Sequence, residues 1–392
     1  MGNKLFFWAN YYIEQPDIGT TLKIKSEIDT FRAYGYEVYY TAYQKTGVAI
    51  YNNHDEVIMY QRYGIKGALL GGKLRKDSLI TITLRFLKIQ SFDLCMLRIN
   101  CLTLSYMQML KKMKKQHAFV AMQSLSYFPN MKRNDMKTLS HFLIAFSLKI
   151  HSTKLSKYVD LMLTEGAIND FYGIPCIEYG MGVDVDRYEP HNYSGNKDEI
   201  NMIMVGCDSP YHGTDRIIAS LDDYYSHCSN NQTVINLHLV GKLNDRETER
   251  IKKAKCKSHI ICYGRKSGIE LNEVFNKCNM ALGPLAQYRI RKKDTGLKTK
   301  EYFARGIPYI YTGEEPHIAS DYPFILQVPN DSSLIDMSTI SDFYNSYVGN
   351  ASVVSNMREI ARQCFSWRSI IEKTMNAANE IKRTKQMLCV VN

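Results

Sequence analysis

The chain has 392 residues, of which 45% are hydrophobic and 23% are charged, and its formal net charge is +11. This composition excludes a disordered or fibrous chain, and the length predicts two domains rather than one core. The positive charge predicts an anionic partner, such as a nucleic acid, a membrane surface or a phosphorylated small molecule.

The cysteines and the hydropathy pattern predict a cytoplasmic protein. None of the ten cysteines belongs to a Cys-x-x-Cys pair, which argues against both a disulfide framework and a zinc site. The apolar run near the N-terminus is short, is interrupted at Asn10 and lacks a small-residue cleavage site, so we expect no signal peptide. No stretch of about 18 apolar residues occurs, and therefore no segment is predicted to cross a membrane.

Strand and helix patterns alternate through the first half of the chain. Residues 5–8 predict a strand, 22–34 a helix that ends at Gly35, and 38–40 a second strand. Further strands are predicted in the apolar runs 94–99, 119–122, 159–164 and 174–179. This alternation predicts a parallel sheet covered by helices, in an N-terminal domain of residues 1–183.

Four residues lie at or beyond the carboxyl ends of predicted strands of this domain, where α/β sheets bind their ligands. Gly19 and Thr20 form the turn that opens the first helix, and Arg98 lies near the end of its strand. Gln123 begins a polar and aromatic loop, QSLSYFPN (123–130). We expect these residues on the ligand-binding side, while an ordinary turn at Gly19 and surface pairing of Arg98 remain alternatives.

A polar segment with glycine and proline, residues 184–199, predicts a linker to a second domain. Its Asp184 and Asp186 form a D-x-D pair of the kind that holds a divalent cation, but the pair lies in the linker and we expect no metal there. Residues 200–332 repeat a strand, glycine, loop and helix pattern, which predicts a second nucleotide-binding-type α/β domain. Residues 333–392 are helical in pattern and are expected to pack partly back on the N-terminal domain.

The stretch MALGPLAQYRIRKKDTGLKTKEYFARGIPYIYTG (280–313) predicts a strand, a cationic loop, a short helix and a strand. Gly306 and Pro308 mark the end of the helix, because glycine suits a left-handed C-cap and proline cannot continue a helix. The helix N-terminus offers N–H groups beside the cationic loop. This stretch therefore predicts an anion site.

Three segments resemble the GT-B-fold nucleotide-sugar glycosyltransferases of the family-4 type. VGCDSPYHGTDRIIASL (205–221) is similar to the strand, loop and helix that open their donor domain. GLKTKEYFARGIPYIYTG (296–313) is similar to their donor-site helix, and IPCIEYGMGVDVDRYE (174–189) to their interdomain segment. The resemblance implies two Rossmann-like domains with an interdomain cleft and a helical C-terminal tail. The N-terminal domain would hold the acceptor and the C-terminal domain the donor.

The same resemblance implies the donor-site residues. Glu301 would bind the donor ribose, because a carboxylate accepts hydrogen bonds from both hydroxyls of a diol. The family has a second glutamate eight positions earlier, where this chain has Lys293 beside Asp294, and which of the two replaces it is open; no catalytic residue is identified. The implied diphosphate ligands are Arg216, Lys242, Lys293 and Lys298. The implied residues of the donor-domain loops are His212, Gly213, Arg265, Gly296 and Leu297. A structural ion pair for Arg216 and a packing role for His212 remain alternatives.

By this resemblance the protein would transfer a sugar from a nucleoside-diphosphate donor to a glycan or lipid-linked acceptor in bacterial surface polysaccharide biosynthesis, such as capsule formation. Retention of configuration is implied. Side-chain cations on the diphosphate would make a metal unnecessary, so no cofactor beyond the nucleotide sugar is expected. The basic surface and the very apolar segment HFLIAFSLKI (141–150) fit a lipid-diphosphate-linked acceptor and peripheral contact with the inner membrane face.

Two other classes of protein remain open. One is another GT-B enzyme, such as a nucleotide-sugar epimerase, which needs a catalytic acid–base pair that the sequence does not single out. The other is a basic nucleic-acid-binding protein. We expect no nucleic-acid partner, because the 28 tyrosines are spread through both halves of the chain without a recognisable motif.

Overall fold

The chain forms two compact α/β units in the computed structural model. The structure describes residues 3–14, 19–64, 72–98, 102–124, 139–164, 170–192, 198–207, 209–227, 233–290, 296–314, 318–319 and 321–391. Unit 1 consists of Met1–Gly180 and Trp367–Asn392, and unit 2 of Met181–Ser366. The segment predicted as a linker therefore belongs to unit 2. The predicted helical tail divides between the units at residue 366.

Unit 1 is built on a nine-stranded sheet in the order β4-β3-β2-β1-β5-β6-β7-β9-β8. Its elements are, in chain order, β1 (Lys4–Trp8), α1 (Gly19–Ala33), β2 (Glu37–Tyr43), β3 (Gly47–Tyr51), β4 (Val57–Arg62), α2 (Gly72–Phe86), β5 (Leu94–Arg98), α3 (Leu104–Lys115), β6 (Phe119–Ser124), α4 (Leu139–Leu155), β7 (Leu161–Thr164), β8 (Asp170–Phe171), β9 (Ile174–Glu178) and the last helix of the chain, which is numbered below. The strands from β2 to β9 in this order are parallel, with antiparallel strands added at both edges.

Strand β1 shows why unit 1 is a three-layer structure. Phe6 and Trp8 belong to the apolar cluster that also contains residues of α2 and α3. Leu5 and Phe7 point to the other side and belong to the cluster that contains Ile28 of α1. Because successive side chains of a strand face opposite sides, a strand with consecutive apolar residues is buried by helices on both faces of its sheet.

Unit 2 is built on a six-stranded parallel sheet in the order β12-β11-β10-β13-β14-β15. Its elements are β10 (Glu199–Val205), α5 (Thr214–Ser226), β11 (Val234–Val240), α6 (Asp245–Lys253), β12 (Ile260–Gly264), α7 (Gly268–Phe275), β13 (Met280–Leu282), α8 (Leu297–Arg305), β14 (Tyr309–Tyr311), β15 (Ile325–Gln327), α9 (Met337–Tyr347) and α10 (Val353–Ile360). Helix α11 (Trp367–Val391) then returns to unit 1.

The strand order of unit 2 reverses between β10 and β13, which lie side by side although they are separated by two strand–helix repeats. In open α/β sheets ligands bind outside the carboxyl ends of the strands at such a reversal. The predicted fold class, two Rossmann-like α/β domains with a helical tail, is confirmed. The structure also locates the edge of unit 2 where a ligand is expected.

Candidate functional site

The candidate site lies at the carboxyl ends of β10 and β13. The chain leaves β10 through Gly206, whose φ of +74° favours glycine. A Cβ atom at Gly206 would lie 2.8 Å from the Nζ of Lys298, on helix α8. The side chain of Lys298 therefore passes directly over this glycine, and any larger residue would displace it.

Lys298 is held at this edge by two contacts. Its ammonium group donates to the carbonyl oxygen of Gly206 at 3.2 Å and lies 2.8 Å from Nε2 of His212. His212 is 5% exposed. Because an ammonium group only donates, Nε2 is the acceptor in this contact. The pair is thus a lysine held in place by a buried histidine.

The position of Lys298 on its helix points to an anion. It is the second residue of α8, after Gly296 as N-cap. A cation in the first turn is unfavourable with the helix dipole, unless an anion lies nearby. An N-cap glycine also has no side chain to accept from the first N–H groups of the helix. Both features suit a phosphate group at this helix end.

The loop that carries His212 is fixed by glycine. Gly213 has φ +72°, and a Cβ atom there would lie 2.9 Å from Cβ of Leu285. The backbone of this loop is bonded to the segment after β13, since Leu285 N–H donates to the His212 carbonyl at 3.1 Å. The segments that follow β10 and β13 are therefore hydrogen-bonded to each other next to Lys298.

Glu301 lies one helical turn after Lys298. Its Oε1 accepts two hydrogen bonds from Arg305, from Nε and Nη2, both at 3.0 Å. Its Oε2 has no hydrogen-bond partner among the residues that the structure describes, and the side chain is 18% exposed. One carboxylate oxygen is thus fixed, while the other remains available to accept from a ligand hydroxyl.

Arg305 is a site residue that sequence reasoning missed. Its guanidinium lies 4.1 Å from the ring centroid of Phe275 and 5.0 Å from that of Tyr188, and it donates to Asn272 Oδ1 at 2.9 Å. These contacts fix the orientation of Arg305, and through it the rotamer of Glu301. The signal in the sequence was the i, i+4 spacing of an acid and a base on one helix.

Arg216, expected at the diphosphate, is engaged elsewhere. Nε donates to the carbonyl of Ser333 at 2.7 Å, and Nη1 donates to the carbonyls of Leu285 and Pro329 at 2.7 and 2.9 Å. The side chain is buried and lies 3.6 Å from Asp331. These contacts give Arg216 the structural role that the sequence left open, because three backbone carbonyls use most of its donors.

The other expected diphosphate and loop residues that the structure describes follow strands β11 and β12 or begin helix α8. Lys242 follows β11, the neighbour of β10, and is exposed without an ion pair to any described side chain. Arg265 follows β12, the edge strand, and is also exposed. Leu297 is the first residue of α8. Lys293 and Asp294 lie outside the described residues.

On unit 1, Arg98 and Gln123 meet at a buried carboxylate. Glu27 of α1 is fully buried; its Oε2 lies 3.4 Å from Arg98 Nη2, and its Oε1 accepts from Gln123 Nε2 at 3.1 Å. Burial and the nearby Glu27 charge raise the pKa of the Tyr179 phenol. Sequence reasoning missed Glu27, although an acid between the apolar residues of α1 was a visible signal.

The four residues expected on the acceptor side all lie in described parts of unit 1. Arg98 and Gln123 are only 3% and 1% exposed, so they form a polar core at the carboxyl ends of β5 and β6. Gly19 and Thr20 begin α1 as expected. Residues 125–130 of the predicted loop lie outside the described residues.

Neither a metal cluster nor a membrane span emerges from the parts of the chain that are described. Within the ranges given above, no group of three or more His, Cys, Asp or Glu side chains is arranged to hold a metal ion. Asp186 of the D-x-D pair instead lies 3.5 Å from Arg362. None of the helices in those ranges combines the length and the apolar character that a bilayer crossing requires.

Solved structures with the same architecture cover nearly the whole chain. A glycosyltransferase from Rickettsia africae has a TM-score of 0.63 at 13% identity, over 97% of this chain and 98% of that one. WaaG, a glycosyltransferase involved in lipopolysaccharide biosynthesis, has a TM-score of 0.55 at 16% identity, over 96% and 99%. Both structures are of the GT-B type. The chain has the GT-B fold.

A third similar structure contains a nucleotide. HepE from Anabaena, solved in complex with UDP, has a TM-score of 0.51 at 11% identity, over 96% of this chain and all of that one. A second structure of HepE contains UDP-glucose. No family model and no curated protein matches the chain. At these identities the comparisons establish the fold alone.

Proposed function

We propose that the protein is a glycosyltransferase that transfers a sugar from a nucleoside-diphosphate donor to an acceptor. The observation that carries this proposal is the position of Lys298 over Gly206, at the strand reversal of unit 2 and at the start of α8. Glu301 follows three residues later on the same helix face, about 4.5 Å further along the axis. A diphosphate at the helix end and a ribose one turn away match this spacing.

The chemistry of the step needs positive charge at the leaving group. When the bond between the anomeric carbon and the diphosphate oxygen breaks, the electron pair stays on that oxygen, the acceptor hydroxyl oxygen forms the new bond to the anomeric carbon, and the hydroxyl proton passes to the departing diphosphate. Lys298, the N–H groups at the start of α8 and the exposed Lys242 would stabilise the developing charge. Lys293 is proposed to join them. With these cations the donor needs no metal, and we propose a metal-independent reaction that retains the anomeric configuration.

The proposed acceptor is a glycan or a lipid-diphosphate-linked sugar in bacterial surface polysaccharide biosynthesis. WaaG is involved in lipopolysaccharide biosynthesis, which supports a reaction of this class for a chain of the same fold. Unit 1, with Gly19, Thr20, Arg98 and Gln123 at the carboxyl side of its sheet, would bind the acceptor. We propose a cytoplasmic location with peripheral contact to the inner membrane. The comparisons favour neither the epimerase nor the nucleic-acid-binding alternative.

A panel of nucleoside diphosphates tests the donor assignment. One of UDP, GDP, ADP, CDP or dTDP should raise the melting temperature of the protein, and Glu301→Ala should weaken binding of that nucleotide. Lys252→Ala is the matched control, because Lys252 is exposed on α6 and its one ion pair among the described residues is with Glu249 on the same helix. If no nucleotide stabilises the protein while DNA or RNA binds in a salt-dependent manner, the transferase proposal fails. The anomeric configuration of the product, read by NMR, tests retention.

A further inference from the structure

Helix α4 carries an exposed apolar surface on unit 1. Phe142, Phe146 and Ile150 are 49%, 54% and 55% exposed. They are spaced four residues apart, so they lie along one helix face over about 12 Å. The rings of Phe142 and Phe146 are nearly parallel, at 9°, with centroids 6.1 Å apart. We call these three residues the α4 stripe.

The helix is attached to unit 1 by a different face. Ser147 and Leu155 are buried, and Ser147 Oγ accepts a hydrogen bond from the N–H of Leu102 at 3.1 Å. The α4 stripe is therefore additional to the apolar surface that the fold itself buries. Half-exposed aromatic rings that adjoin one another are unusual on a surface without a partner.

The surroundings of the α4 stripe are cationic. Lys149 and Lys154 are exposed on the same helix, and neither forms an ion pair with a side chain in the described part of the structure. Lys149 is three residues after Phe146, and Lys154 is four residues after Ile150, so both flank the stripe. The sequence of α4 contains no Asp or Glu, and Asp135 is the only acidic residue between positions 102 and 158.

We propose that the α4 stripe docks on the surface of an anionic lipid bilayer. The three apolar side chains would enter the boundary between headgroups and acyl chains, while the lysine stems extend so that their ammonium groups meet lipid phosphates. A second copy of the chain fits this surface less well. Two such stripes in contact would bring Lys149 and Lys154 of both copies together with no acidic residue on either helix to pair with them.

This inference rests on the proposed function for its biological purpose. An enzyme that binds the membrane surface lies close to an acceptor that is anchored there by its lipid. The binding surface itself is argued only from the residues of unit 1. Its test is therefore separate from the test of nucleotide binding.

Sedimentation of the full-length protein with vesicles tests the proposal. The wild type should bind vesicles that contain phosphatidylglycerol and phosphatidylcholine, and bind much less to phosphatidylcholine alone. The double substitution Phe142→Ser with Phe146→Ser should lower the partition coefficient at least about tenfold, because two half-buried rings are lost from the interface. Lys149→Gln with Lys154→Gln should lower binding to anionic vesicles about tenfold and flatten its salt dependence. Ile269→Ser, a 78% exposed residue of unit 2, is the matched control and should change nothing.

Two outcomes would overturn the proposal. One is wild-type protein that stays unbound with anionic vesicles, or a phenylalanine variant that binds them as the wild type does. The other is a dimer in solution that the phenylalanine variant converts to a monomer, with vesicle binding unchanged, because the stripe would then join two copies. Nucleotide-induced stabilisation, measured on the same variants, should be retained and shows that they are folded. If no nucleotide stabilises the wild type, that result would count against the proposed transferase function and not against the proposal that the α4 stripe binds membranes.

Discussion

Replacing Gly206 by alanine should weaken donor binding through Lys298 rather than directly. The new methyl group would lie 2.8 Å from Lys298 Nζ and would push the ammonium group away from its place. Loss of one charge-assisted hydrogen bond to the diphosphate costs about 1.5–3 kcal/mol, which raises Kd roughly ten- to hundredfold. Alanine at φ +74° also lowers the stability of the fold by about 1–2 kcal/mol.

Gly264→Ala separates these two effects. Gly264 has φ +66°, so alanine there meets a similar backbone cost, but no atom lies within 4 Å of the added Cβ. This control should therefore lose stability without losing nucleotide affinity. Kd is measured by calorimetry with the nucleoside diphosphate that stabilises the wild type, and stability by denaturant unfolding.

A double-mutant cycle decides whether the mechanism is right. If Gly206→Ala acts by moving the ammonium group, it should have little further effect in a protein that already carries Lys298→Ala. The Kd of the double variant should then agree with the Kd of Lys298→Ala within about threefold. If the two losses multiply instead, the displacement argument is refuted.

Three further predictions concern residues with defined partners. Arg305→Met should weaken nucleotide binding about as much as Glu301→Ala does, with no added loss in the double variant, because Arg305 acts by holding the carboxylate; calorimetry that gives additive losses would contradict this. Arg216→Met should lower the free energy of unfolding by roughly 3 kcal/mol, because three buried carbonyls lose their donor. A change below about 0.5 kcal/mol in denaturant unfolding would place those carbonyls in contact with water instead. Asp160 is buried, which by itself raises its pKa, but hydrogen bonds from Lys114, Lys385 and the Val120 N–H outweigh burial and lower it. A carboxylate with a lowered folded pKa stabilises the fold above its unfolded pKa, so the stability difference between wild type and Asp160→Asn should shrink as pH falls below about 4. A difference that stays constant in acid titrations of unfolding would argue against this ionisation.

The sequence predicted the fold class because strands and helices alternate with clear apolar runs. The element ends were harder to predict. The polar residues 184–199 predicted a linker, because composition reports exposure to water. In the structure the described part of this segment is held to unit 2 by backbone contacts, such as the hydrogen bond from the His191 N–H to the Arg305 carbonyl at 2.7 Å. The three-residue strand β15 was not predicted, since it lacks the preceding helix end with Gly306 and Pro308 that marks the equally short β14.

The local features of the candidate site were predictable from the sequence, but its long-range contacts were not. Helix α8 and its Gly306 C-cap follow local rules, and the cap has the expected left-handed φ of +78°. The contact of Lys298 with Gly206 joins residues 92 positions apart, and only the strand order of the sheet brings them together. The role of Arg216 could not be predicted from the sequence. An arginine near the start of a helix can bind an anion or donate to backbone carbonyls, and the sequence pattern is the same in both cases. The roles of Glu301 and Lys242 stay predictions until a nucleotide is bound.

The route of the chain also sets an order of assembly. Unit 2 is one continuous segment, Met181–Ser366, inserted into unit 1, whose last helix begins only at Trp367. The apolar cluster around Leu5 and Phe7 includes Trp367 and Ile371, so it stays incomplete until those residues are synthesised. During translation unit 2 can therefore fold before unit 1 is complete, because helix α11 of unit 1 is synthesised last. The two ends of the insertion are joined by a strand-like bridge between Val183 and Ser366. A segment cut at these points would have its termini side by side, ready for expression alone or for transplantation into another host chain.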